Sequence, residues 1–91
     1  MRQETAETIA LQALGWLAEE ELLGAFLGAS GAALQDVPAR AQEPEFLAAV
    51  LDFLLMEEAR VRRFCAARGL ACEAPMQARG RLPGGEQVNW T

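Results

Sequence analysis

Four groups of side chains in this sequence are of types that can do chemistry. They are the glutamates at Glu19–Glu21 and Glu57–Glu58, the isolated acid Asp52, the thiols Cys65 and Cys72, and the arginines Arg60, Arg62, Arg63 and Arg68. Histidine is absent. The chain therefore lacks the ordinary general base near neutral pH, and no Cys–His pair, Ser–His–Asp triad or histidine-bearing zinc motif can be assembled. Nor is there a phosphate-binding loop, since Gly84–Gly85 lies in a tail and not between a strand and a helix.

Each remaining group has a structural reading beside its functional one. Asp52 interrupts an apolar run, and burial would raise its pKa and make it a candidate acid. Glu45, Ala48, Ala49, Asp52 and Met56, however, share the one helix face without large apolar groups, which predicts that Asp52 faces water. The paired glutamates could be imagined around a metal, but carboxylate sites in helical bundles usually add histidines. Acids in a helix's first turn favour its positive end, and Glu58 to Arg62 is a favourable four-residue pair. The seven-residue spacing of Cys65 and Cys72 matches no metal or redox signature; Cys65 is expected to pack beside Phe64 and Cys72 to lie in a loop. The arginines could grip an acidic partner or a phosphate, or could complement the negative end of their own helix.

These residues must be positioned by helices. Alanine occurs 18 times, and with leucine, glutamate, arginine and glutamine it dominates residues 4–68. A first helix is predicted from Thr5, as N-cap, to about Ala18, with Ile9, Ala10, Ala13, Leu14, Trp16 and Leu17 at three- and four-residue steps. Gly15 within it could mark close helix packing. A second helix, about Glu20 to Ala29, buries Leu22, Leu23, Phe26 and Leu27 and stops at Gly31. Residues 32–43 admit either a loop or a short helix with Pro38 in its first turn, capped by Asp36. Pro44 opens the most apolar helix, and another runs from Glu57 or Glu58 to Arg68, closed by Gly69. A short helix from Glu73 to Arg81, with Pro75 in its first turn, is anchored by Met76 and Leu82.

Shifting the chain by 38 residues lays residues 9–31 on residues 47–69 with seven identities in 23 pairs. The identities include Glu19–Glu20 with Glu57–Glu58, Phe26 with Phe64, and Gly31 with Gly69. That period is typical of helical-hairpin repeats. It predicts halves at about 5–31 and 43–69, equivalent Glu-Glu turns, and Phe26 and Phe64 in equivalent core positions. The expected architecture is an all-α, small orthogonal bundle of about five helices, two related hairpins plus a short C-terminal helix, over residues 1–82. Residues 83–91 are expected to be a flexible tail unless Trp90 docks back.

The stretches ETIALQALGWLAEEELLGAFLGASG, EPEFLAAVLDFLLMEEARVRRFCAARGL and RGRLPGG resemble domain-of-unknown-function family 3572, short proteins found chiefly in alphaproteobacteria. The likeness covers about residues 4–85. It implies an unbroken short helix where this chain has Pro38, and a turn after the FLAAVLDFLL helix. It carries no catalytic residues, and a genomic neighbourhood near two-component regulators implies only a regulatory context.

Charge narrows the partners. The net charge is −5, with −9 over residues 1–58 and +4 over residues 59–91. Such a chain makes a poor general nucleic-acid binder, which needs cations to displace phosphate counterions. No signal peptide and no apolar run long enough to span a bilayer is seen, and cytoplasmic residence is expected. The sequence thus reads as a non-catalytic protein-interaction or regulatory module, with no metal or cofactor, acting on another protein or on a second copy of itself. Arg60, Arg62, Arg63, Arg68 and Trp90 are its candidate contact residues. The alternative is a DNA-associated regulator that uses the arginine-bearing helix 58–68.

Overall fold

A computed structural model describes residues 1–83 and shows an all-α bundle. Helix α1 spans Gln3–Glu19, α2 Leu23–Ser30, α3 Val37–Arg40, α4 Pro44–Leu55, α5 Glu58–Arg68 and α6 Ala74–Gly80, with a 3-10 turn at Leu34–Asp36 just before α3. Trp90 and the rest of the expected tail from residue 84 lie outside the described residues.

Helix α4 is apolar on most of its circumference and is accordingly central. Phe46, Leu47, Ala48, Val50, Leu51, Phe53 and Leu54 are all buried. Its most extensive neighbours are α1 and α6, and α1 and α6 also pack on each other. The last helix is therefore the third wall of the core and not an appendage to two hairpins. Pro75, Ala78 and, just beyond, Leu82 are its buried residues. Met76, expected as an anchor, is instead 68% exposed. The steps from 75 to 78 to 82 follow one helix face, which leaves 76 pointing away from it.

Aromatic rings tie the two halves together reciprocally. Phe26 of α2 meets Phe46 and Phe53 of α4 edge-on, at centroid distances of 5.5 and 5.6 Å. Phe64 of α5 meets Trp16 of α1 in the same manner at 5.9 Å. Such edge-to-face pairs add about 0.5–1.5 kcal/mol each beyond the area they bury.

Helix ends match the 38-residue register at one place and depart from it at another. Gly31 and Gly69 both adopt the left-handed conformation, with φ of 79° and 69°. Their amides donate to Leu27 and Cys65 respectively, positions that also correspond. The Glu-Glu turns are not equivalent. Helix α1 continues through Glu19, and Glu21 turns left-handed at φ 60° so that the Leu22 amide reaches back to the Leu17 carbonyl at 2.8 Å. In the second half α4 has already stopped at Leu55, Glu57 is extended, and Glu58 opens α5. The same dipeptide thus closes one helix and begins another.

Two smaller expectations shift as well. Thr5 lies inside α1, which begins at Gln3 with Arg2 in the cap position and no side-chain cap. Pro38 does sit in the first turn of α3, with Asp36 at its cap position but making no capping hydrogen bond.

Candidate functional site

Helix α5 carries the arginine cluster, and its surroundings decide what those cations can reach. Arg60 has a side chain only 15% exposed. Its Nη1 donates to the Phe53 carbonyl at 3.0 Å, its Nη2 reaches Glu57 at 3.1 Å, and its guanidinium lies 4.3 Å over the Phe53 ring. Arg63 is held between the Trp16 ring, 5.3 Å from its centroid, and the Glu20 carboxylate. Arg68 donates to Glu19 at 2.9 Å, and its guanidinium is the nearest group to the vacant side of Gly15.

These contacts have a common electrostatic cause. Glu19 and Glu20 stand at the C-terminus of α1, where the helix dipole already concentrates negative charge. The sequence predicts instead an acidic turn at Glu19–Glu21 leading into a helix from about Glu20, whose positive end such acids would favour. In the structure Arg63 and Arg68 supply the compensation. Arg62 is the most exposed of the four, at 68%, and pairs with Glu58 of its own helix at 2.9 Å, while Arg63 stays 56% exposed beside its partners.

Beside Arg62 runs a groove. Glu58, Val61 and Arg62 line one wall, Glu73, Met76 and Gln77 the other, with Leu55 and Cys72 completing it. Its volume is about 650 Å³. On α5, and on α6 with its N-cap residue Glu73, an acid is followed three and four residues later by an apolar and a long polar side chain, so the two walls repeat one pattern. That repeated pattern was visible in the sequence, but which stripes would face each other was not.

Asp52 is exposed, as its helix face predicts, yet it does not stand alone. Arg79 of α6 donates to it at 2.6 Å and to the Pro83 carbonyl at 3.0 Å. Ala48, assigned to the same solvent face, is buried at 3% exposure because α6 packs on α4. Cys65 is buried, and its Sγ donates to the Ala71 carbonyl at 3.4 Å. Burial pushes its thiol pKa up, and the neighbouring Cys72 and Glu73 push it the same way.

Among the described residues no group of three or more cysteine, aspartate or glutamate side chains is placed to hold a metal ion, and no helix is long and apolar enough to cross a membrane. Chemically, the surface offers an apolar trough with acidic and cationic rims and one exposed thiol. No curated protein and no solved structure matches the chain. Residues 3–85 match the model of a family described as protein of unknown function (DUF3572), and the chain belongs to that family.

Proposed function

We propose that this DUF3572 member is a non-catalytic protein-interaction module whose α5–α6 groove receives one face of a basic amphipathic helix from another protein. The observation that carries this reading is the groove itself, where Leu55, Val61 and Met76 give an apolar lining and Met76 stays 68% exposed. A helix laid into a groove anchors by side chains at three- and four-residue steps. Methionine suits such a surface because its unbranched thioether adapts to the shape presented. The partner's charge is read from the rim, where Glu58 and Glu73 stand against the cation Arg62, and from the chain's net −5, which draws cations to the molecule as a whole.

Arg60, Arg63 and Arg68 are already engaged by groups of the chain itself, which favours this reading over a DNA-associated regulator that would need those cations on phosphates. We further read the module as cytoplasmic, in keeping with its two free thiols. The matching glycine caps and reciprocal phenylalanine contacts support an origin by duplication of a hairpin.

The test is titration of the labelled chain with a model leucine–lysine amphipathic helix, followed by NMR. The expected result is shifts grouped at residues 55–62 and 72–77, and loss of binding in Met76→Glu with the fold intact. Shifts grouped elsewhere, or binding unchanged in Met76→Glu, would overturn the proposal. Dimerisation of the free chain that Met76→Glu abolishes would reassign the groove to a second copy.

A further inference from the structure

Cys65 and Cys72 are seven residues apart, which in an unbroken helix would mean a rise of about 10 Å. A disulfide needs Cα atoms about 4.4–6.8 Å apart. What brings them together is the reversal at Gly69. The Gly69 and Leu70 amides both donate to the Cys65 carbonyl, so the chain leaving α5 folds back over its last turn. The Cys65 sulfur then rests on the Ala71 carbonyl at 3.4 Å, against the peptide that leads into Cys72. The Ala71 carbonyl belongs to the peptide bond that Cys72 continues, so the reversal sets Cys72 beside the Cys65 side chain, with Cys65 buried and Cys72 exposed in the groove wall.

We propose that Cys65 and Cys72 form a redox modification site that closes to an intramolecular disulfide when the chain meets a small-molecule disulfide oxidant. The roles follow from accessibility. Cys72, as thiolate, attacks one sulfur of the oxidant; the oxidant's S–S bond breaks and its first half leaves as a thiol, leaving a mixed disulfide on Cys72. Cys65 then loses its proton and attacks the Cys72 sulfur, expelling the second half as a thiol. Two protein S–H groups are oxidised and one small disulfide is reduced to two thiols. The raised pKa of Cys65 agrees with this order, because a buried thiol makes the slower, second nucleophile. The reaction is one of the free chain, in which Cys72 is exposed, and does not depend on which partner the groove receives.

The experiment is incubation of the folded full chain with oxidised glutathione, followed by acid quenching and intact-mass analysis. The wild type is expected to become lighter by two hydrogens, to carry no adduct and to stay monomeric on a non-reducing gel. Cys65→Ala is expected to stop at a glutathionyl adduct on Cys72, and Cys72→Ala to be inert until unfolded. The proposal fails if the wild type accumulates the adduct, links into dimers or does not react. That wild-type result is decisive even if a variant does not fold.

Discussion

Arg68 Nη2 lies 2.9 Å from Glu19 Oε2, joining the last turn of α5 to the last residue of α1 across 49 residues of sequence. The contact places a cation where the α1 dipole and two glutamates concentrate negative charge. It turns an unfavourable helix end into a clamp between the halves of the chain. It also ties one member of the basic cluster, Arg68, into the fold.

The strength of that clamp is measurable. A double-mutant cycle of Arg68→Ala and Glu19→Ala is expected to give a coupling of about 0.5 kcal/mol in urea unfolding, since Glu19 is largely exposed. The coupling should fade with added salt. Arg68→Ala alone is expected to cost more, about 1 kcal/mol, because its side chain also packs over Gly15. Equal effects at low and high salt would exclude an ion-pair origin.

Glu21 predicts a gain. Its left-handed backbone costs an ordinary residue about 1–2 kcal/mol, and the side chain is exposed. Glu21→Gly should raise the stability by about 1 kcal/mol, whereas Gly69→Ala, at φ 69°, should lower it by a similar amount. Thermal melts of the two variants are expected to move in opposite directions.

Phe64 has 0% exposure and packs on Trp16 across the interface between halves. Phe64→Ala should cost about 3–5 kcal/mol, a large part of the roughly 5–15 kcal/mol that holds a domain together. Tryptophan fluorescence would report the same loss directly, because Trp16 would gain water where the ring had been.

Cys65 introduces a pH dependence. Its pKa is raised in the folded state, chiefly by burial, so the fold favours the protonated thiol. The unfolded chain therefore releases this proton first as pH rises. The contribution is complete below the ordinary thiol value of about 8.5 and is lost as pH climbs from there through the raised folded value. Denaturant midpoints should fall over that alkaline range in the wild type, and fall less in Cys65→Ala.

Much of the architecture was legible in the residues themselves. The apolar circumference of residues 46–54 marked α4 as central, and Gly31 and Gly69 marked two helix ends, because glycine is cheap in the left-handed conformation both require. Glu21 performs the same reversal, but glutamate's helix propensity conceals it. The candidate surface was less legible for a related reason. Arg60, Arg63 and Arg68 find Phe53, Trp16, Glu20 and Glu19 through tertiary packing, which local pattern does not report. The Cys65–Cys72 approach had a local signal, a cysteine on each side of a glycine helix stop, which spacing rules for unbroken helices overlook.

The position of α6 has a consequence for how the chain is made. Its Pro75 and Ala78, with Leu82 beyond, complete a core whose other walls are α1 and α4. During vectorial synthesis those two helices leave the ribosome well before the segment that covers them. The apolar faces of α1 and α4 that α6 covers therefore stay open until residues 75–82 have emerged, a state open to wrong association and to chaperone capture. Closure of the bundle is a late event, set by the arrival of residues 75–82.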